Sequence, residues 1–425
     1  MKTVWYLFYN YIVVPFLYVT LHIIGWFDDK TKRGIKGRKR VFEELIINAA
    51  SLDKNKPLIW FHSSSLGEFE QAKPIISELK KDNKINILVT FFSPSGYENS
   101  KKYPHADLIS YIPFDTNFNA LRFIKIVSPD LAVIMRYDIW PNMIWAMKRY
   151  NVPSFLVDAT MNPNSLRTVI GIKNFHKHLF KDITKILTVS KTDAEGFKSF
   201  ECGDEQVKVV GDTRFDRVYQ RSQSAKERNL LKEEILNGKK ILVAGSTWEQ
   251  DEEILLPAFK TLAKYDKDVI LVIAPHEPKE FHLENIENEF KDLLPTIRFS
   301  HLNNYKDEKV IIIDSVGILK TLYFYADAAY IGGSFKQNIH NVLEAAVYGV
   351  PLVYGPKIEN SQEAIKLRDL KGAFEVKNKN EMYRSLRSLF SNKELRESMG
   401  NISYEYVHQN LGATERIVQE IKRYI

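Results

Sequence analysis

The chain has 425 residues, 44% of them hydrophobic, which is enough material for two domains that each bury a core of their own. Its formal net charge of +7 points to an anionic partner, whether a phosphorylated lipid, a nucleotide or a nucleic acid, without choosing among them. A single cysteine, Cys202, excludes a disulfide framework and a thiolate metal site, as expected of a chain facing a reducing compartment.

Residues 4–27 carry no charged side chain and are rich in Val, Ile, Leu, Phe and Tyr, a stretch long enough to span or deeply enter a bilayer. Trp5 and Tyr6 at one end and Trp26 at the other suit the headgroup boundary, whereas Pro15 and His22 make the span imperfect. A basic block follows at once, from Lys30, Lys32 and Arg33 through Lys36, Arg38, Lys39 and Arg40. It resists translocation and attracts anionic lipid, which places the body of the protein on the cytoplasmic side of a membrane. A cleaved signal peptide is disfavoured, because only Lys2 precedes the apolar run and no small-x-small site follows it.

Beyond Pro57, short β-rich apolar runs alternate with helical periodicity, the pattern of parallel sheets covered by helices. Strands are expected at 58–62, 85–91, 131–135, 154–157 and 186–189, and a second series at 241–244, 269–274, 310–313, 328–331 and 352–354. The polar stretch 217–238 reads as a linker plus an opening helix. The expected division is an anchor at 1–29 and Rossmann-like domains at 30–215 and 216–425, a nucleotide in one and an acceptor in the other, with the last helix packing back on the first domain. Two doubly wound halves are expected to face a cleft at the carboxyl ends of their strands.

The run His62-Ser63-Ser64-Ser65-Leu66-Gly67-Glu68 leaves a strand, turns through small residues and enters a helix extending to about Lys80. A carboxylate there is a candidate general base on a sugar hydroxyl, and equally a simple complement to the helix dipole; the helix terminus is expected to keep it charged and weakly basic. Gly211-Asp212-Thr213-Arg214-Phe215-Asp216 closes the first half, and Arg214 there offers either a permanent charge to a leaving phosphate or an ordinary surface cation.

In the second half, Gly332-Gly333-Ser334-Phe335 lets a ligand approach the backbone, or is only a turn. Asn341-Val342-Leu343-Glu344 then opens a helix expected to end near Gly349, whose free amides suit a phosphate; Asn341 and Glu344 share a face, and Glu344 suits ribose hydroxyls. Three more loops end strands on the same rim. In them Ser246 and Thr247 can donate to a phosphate or sugar carboxylate, His276 after Pro275 can donate to an anion, and the backbone of Val316, Gly317 and Ile318 can read a base edge.

Together with Trp140-Pro141-Asn142, Gly355-Pro356 and Glu359-Asn360, these ordered motifs cover nearly the whole chain, and it resembles the bacterial 3-deoxy-D-manno-octulosonic acid (Kdo) transferases. That resemblance implies a membrane-anchored, inverting glycosyltransferase of the GT-B architecture, two Rossmann-like domains facing a cleft, at the cytoplasmic side of the inner membrane. It implies CMP-Kdo as donor, a lipid A precursor as acceptor and membrane lipids as partners, with no nucleic acid, metal or cofactor. Glu68 would be the proton acceptor, Arg214 a stabiliser of the transition state, and Pro275-His276, Val316 to Ile318 and Asn341 to Glu344 the CMP contacts. Departures are visible. Arg136 stands at a catalytic position where the family commonly has glutamate, with Asp138 nearby to compensate; His276 replaces a frequent arginine, Ile339 a usual glycine and Ala345 a frequent proline. A GT-B enzyme using another nucleotide sugar, and a membrane-tethered binding protein without catalysis, are the rival readings.

Overall fold

The computed structural model of the protein describes residues 2–161, 167, 169–225 and 228–425. They divide into two compact units, one of residues 1–217 with 411–425 and one of residues 218–410.

The first unit begins with helix Lys2–Phe8, a π-helical turn at Tyr9–Val13 and helix Val14–Phe27, one continuous helical run in which Pro15 lacks the N–H that would bond to the preceding turn. Thr3–Phe27 is 25 residues long and, by length and composition, apolar enough to cross a bilayer. One of its faces is docked on the domain: the Tyr9 hydroxyl donates to buried Asp115 (2.8 Å), Asn10 and Asn142 exchange amide bonds, and Trp5 lies against Phe175 with ring centres 5.6 Å apart. The π turn sits at this polar seam, where the ladder shifts to aim Tyr9 and Asn10 inward. The opposite face leaves Tyr11, Ile12, Phe16 and Val19 exposed. Asp28 breaks the helix in extended conformation and caps the next one, Asp29–Arg38, by accepting the Thr31 N–H at 2.7 Å.

The strands of this unit are β1 (Leu58–Ser63), β2 (Asn86–Phe91), β3 (Leu108–Tyr111), β4 (Leu131–Met135), β5 (Ser154–Ala159), β6 (Lys185–Thr188) and β7 (Val207–Val209). They form one parallel sheet in the order β3-β2-β1-β4-β5-β6-β7. In β1, Leu58 and Trp60 enter one core and Ile59 and Phe61 the other, so the strand shows no polar alternation: both faces are buried. The second unit repeats the plan with β8 (Lys240–Thr247), β9 (Val269–Pro275), β10 (Thr296–Arg298), β11 (Val310–Ile312), β12 (Ala328–Ile331), β13 (Leu352–Tyr354) and β14 (Ala373–Glu375), in the order β10-β11-β9-β8-β12-β13-β14. All ten expected strands form. Four were not foreseen, β3, β7, β10 and β14, and they are the outermost strands of the two sheets.

Of the linker plus opening helix expected at 217–238, the first part is itself helical: helix Thr213–Ala225 runs through the division, and a short helix Glu233–Leu236 precedes the second sheet. Helix Ala413–Ile421 belongs to the first unit, where Ile417, Val418 and Ile421 share a core with Ile75 and Ile76 of helix Leu66–Leu79. Asp216 holds its start, accepting the N–H groups of Gly412 (2.7 Å) and Thr414 (2.6 Å). Asp216→Ala orphans the buried Thr414 amide and the partly buried Gly412 amide, and is expected to cost about 1–3 kcal/mol. A fall in the urea midpoint at unchanged slope checks this, and an unmoved midpoint contradicts it.

Candidate functional site

Because both faces of each sheet are sealed, polar chemistry is left to the carboxyl ends of the strands. In the first domain the ends of three adjacent strands matter. Helix Leu66–Leu79 follows β1, with Ser65 as its N-cap accepting the Glu68 N–H at 3.4 Å. The Glu68 carboxylate turns back to accept the Ser64 N–H at 2.6 Å. Glu68 is therefore a capping residue as well as a candidate base. Against expectation, its carboxyl is not held acidic: burial raises its pKa, the bond from Ser64 opposes this, the charge of Asp138 adds to the rise, and His62 and Ser65 lower it. Burial wins, so Glu68 is a stronger base than an exposed glutamate.

Beside it is a buried chain that the sequence did not disclose. The Trp60 indole donates to Thr90 Oγ1 (2.8 Å), Thr90 Oγ1 meets His62 Nδ1 (2.8 Å), and His62 Nε2 meets Asp138 Oδ2 (2.7 Å). An ionised carboxylate only accepts, so His62 Nε2 donates to Asp138, while Nδ1 and the Thr90 hydroxyl share the bond on the other side of the ring. Asp138, at the end of β4, thus has a fixed place near Glu68.

Arg136 occupies a left-handed backbone position (φ 61°) after β4, and its Nε is buried without a hydrogen-bond partner. With the Gln71 amide turned to suit its neighbours, its oxygen accepts from Arg136 Nη1 (3.0 Å) and its nitrogen donates to Asp158 Oδ2 (3.3 Å). Asp158, at the end of β5, also takes the N–H (3.1 Å) and hydroxyl of Thr213. Burial, reinforced by the nearby Asp212, raises its pKa well above the ordinary carboxylate range. Arg214 is not a bare cation: its Nε and Nη2 both reach Asp212 Oδ2, at 2.8 and 2.6 Å. That pairing fixes the guanidinium and offsets part of its charge.

In the second domain the ends of β11, β9, β8 and β12 are neighbours, and the expected donor residues divide into those that face outward and those that do not. Thr247 is buried and its hydroxyl donates to Glu252 Oε1 (2.7 Å), whose other oxygen meets His282 Nε2 (2.8 Å); it has no proton to offer a ligand. Val342 and Leu343 are buried in the core, which leaves only their backbone for a ligand. The glycine pair serves packing. A Cβ on Gly332 would lie 2.2 Å from the Ser246 carbonyl oxygen, Gly333 has φ +94°, and the Gly333 N–H is spent on the buried Asp251 carboxylate at 2.8 Å. Asp251 also receives the Tyr330 hydroxyl (2.7 Å) and the Trp248 N–H (2.9 Å), and so ties β12 to the start of helix Glu249–Tyr265. The helix expected from Asn341 is only Leu343–Ala346, and Asn341 Oδ1 already accepts the Leu343 N–H at 3.1 Å.

The outward-facing set is compact. His276, after Pro275 at the end of β9, is exposed and stacks between Trp248 (ring centres 4.5 Å) and His340 (4.6 Å), while Lys336 Nζ lies 3.3 Å from the Trp248 ring centre. Glu344 Oε1 pairs with Lys320 Nζ (2.9 Å) and lies 3.5 Å from Asn341 Nδ2. Lys320 lies in the short helix Leu319–Leu322 that follows the exposed Val316-Gly317 turn, where Gly317 has φ +94°, so this pair joins that helix to Glu344. Ser246 (φ 54°) is half-buried on the same rim. Lys320, Trp248, His340 and Lys336 went unnoticed in the sequence because their partners are distant in it. Among the described residues, no group of three or more His, Cys, Asp and Glu is placed to hold a metal ion.

Two Rossmann-like domains, each with a buried parallel sheet and a polar carboxyl edge, define a fold of the GT-B glycosyltransferase type. Solved structures of that build agree at the level of fold. A UDP-GlcNAc 2-epimerase from Neisseria meningitidis bound to UDP-GlcNAc superposes with a TM-score of 0.62 at 18% identity, over 87% of this chain and 100% of that one. MurG of Acinetobacter baumannii gives 0.54 at 16%, over 87% and 99%. Residues 39–217 match the family described as 3-deoxy-D-manno-octulosonic-acid transferase (kdotransferase). The Kdo transferase of Aquifex aeolicus is 32% identical over 81% of this chain and 89% of its own length, and that of Haemophilus influenzae 27% identical over 86% and 87%. The chain belongs to the Kdo transferase family. It is a glycosyltransferase of lipopolysaccharide biosynthesis, moving Kdo from a sugar nucleotide to a lipid acceptor.

If Glu68 must be ionised to work, activity falls on acidification through a pKa that the Asp138 charge holds up. Asp138→Asn keeps an acceptor for His62 and removes that charge, so the acidic limb of kcat/KM is expected to move to lower pH. A limb that stays in place, or moves up, excludes Glu68 as the group it reports.

Proposed function

We propose that the chain transfers Kdo from CMP-Kdo to a glucosamine hydroxyl of a lipid A precursor resembling lipid IVA, with inversion at the anomeric carbon. The reading rests chiefly on Glu68, a half-buried carboxylate at the end of a central strand, held in place by the Ser64 amide and made more basic by burial and by Asp138. Glu68 takes the acceptor hydroxyl's proton as the oxygen bonds to the anomeric carbon. The bond from that carbon to the phosphate oxygen breaks, and its electron pair leaves with CMP. Arg214, immobilised on Asp212, and Arg136 stabilise the developing charge, and Asp138 serves as the carboxylate in place of the glutamate that Arg136 replaces. Positioning and charge stabilisation then supply most of the rate.

On the donor side, His276 and Ser246 suit the phosphate and the sugar carboxylate, the backbone of Val316 to Ile318 suits the base, and Asn341 with Glu344 suits the ribose. The exposed apolar face of Thr3–Phe27 and the basic residues after it support anchoring to the cytoplasmic side of the inner membrane.

Glu68→Gln is expected to lower transfer by about 10²–10⁴-fold while CMP affinity stays within about twofold of wild type. Turnover that survives the change removes Glu68 from the role of base. In competition for the donor site, CMP is expected to displace CMP-Kdo and UDP is not; the reverse order favours a different nucleotide sugar.

A further inference from the structure

A cavity of about 540 Å³ opens in the first domain beyond the ends of β2 and β3, within the size range of about 300–1,000 Å³ typical of ligand pockets. Its outer wall is the helical hairpin Val14–Phe27 and Asp29–Arg38, which contributes Leu21 and Ile35; Phe42 and Phe114 close it from the domain side. Three cations line it, Lys30, Arg38 and Lys39, and its lining holds no carboxylate.

Arg38 is the unusual member. It lies over the rings of Phe92 (4.5 Å) and Tyr111 (5.2 Å) and donates to the carbonyls of Gly34 (2.8 Å), Ile112 (3.0 Å) and Phe92. All these hydrogen-bond partners are neutral, and burial pulls its pKa down to about 10 against the opposing charge of Asp138. A half-buried cation with no anion among its hydrogen-bond partners favours an anion brought in from outside. The helices around the cavity carry apolar side chains pointing outward, among them Ile24, Ile46, Ile47 and, next to the lining residue Asn119, Phe118. Such a rim belongs in a bilayer. The cavity also adjoins the candidate base. Ser93 lines it and donates its N–H to the Ser64 carbonyl (2.9 Å), and Ser64 in turn donates to Glu68 (2.6 Å).

We propose that this cavity receives one acyl chain of the glycolipid acceptor, with an acceptor phosphate held at its cationic mouth by Lys30, Arg38 and Lys39. The proposal rests on the reading of the chain as a lipid A Kdo transferase and adds to it where the lipid part is gripped. Recognition of the acyl chain beside Glu68 explains how a sugar hydroxyl is drawn to the base from a membrane-held substrate, by binding energy remote from the reacting atoms.

The first test uses wild-type protein in detergent and a tetraacylated, bis-phosphorylated glucosamine disaccharide with a photoactivatable diazirine in one acyl chain. Label is expected on peptides covering residues 18–42 and 92–94, competed by unlabelled acceptor. Label confined to the outer face of Thr3–Phe27, or displaced by phosphatidylglycerol and not by acceptor, overturns the proposal. The second test fills the cavity with Leu21→Trp. The KM for the acylated acceptor is expected to rise about tenfold, roughly the loss of two buried methylenes, with the KM for CMP-Kdo unchanged and the deacylated acceptor used as by wild type. An unaltered KM, or equal losses with both acceptors, counts against the cavity. Wild-type protein that transfers nothing from CMP-Kdo to either acceptor sinks the underlying reading instead, and the labelling result still decides the cavity.

Discussion

In both domains the central strands are sealed on two faces, and this constraint decides where every candidate residue lies. Trp60 and Phe61 are adjacent in β1, yet each is buried in a different core. A strand so placed can show a polar side chain only where it ends. Glu68, Asp138 and Asp158 therefore lie at or beyond the carboxyl ends of β1, β4 and β5, and Ser246, His276 and Asn341 at or beyond those of β8, β9 and β12. The same sealing supplies the low dielectric that makes Glu68 more basic than its helix-terminal position alone would allow.

Burial also obliges carboxylates inside the fold to find donors, and most of the recognisable motifs turn out to do this work. Asp251 gathers the Tyr330 hydroxyl and the amides of Trp248 and Gly333; Asp158 gathers Thr213; Asp216 gathers Gly412 and Thr414. In the run from Gly211 to Asp216, three side chains serve the frame: Asp212 holds Arg214, Thr213 binds Asp158 and Asp216 caps the last helix. A motif of this kind marks the scaffold around a reaction as much as the reaction itself.

How much of this was legible in the sequence follows from the range of each interaction. The central strands announced themselves through continuous apolar runs; β3, β7, β10 and β14 did not, because edge strands of three or four residues with partly exposed side chains carry little apolar signal. The position of Glu68 at a helix start was readable from Ser64, Ser65 and Gly67, whereas its basicity was not, since that depends first on burial and then on the charge of Asp138 seventy residues on. Thr247 reads as a phosphate donor until helix Glu249–Tyr265 brings Glu252 against it. Lys320 could not be picked out from the other lysines without the fold that pairs it with Glu344.

The closing helix Ala413–Ile421 has a bearing on biosynthesis. Its Ile417, Val418 and Ile421 fill a core otherwise built from residues before 211, so the leading domain lacks part of its interior until residues 413–421 have been translated. Domains usually mature one after another as the ribosome delivers them. Here the domain synthesised first is completed only after the intervening residues 218–410 have been made, and until then the side chains that this helix covers lack their native partner.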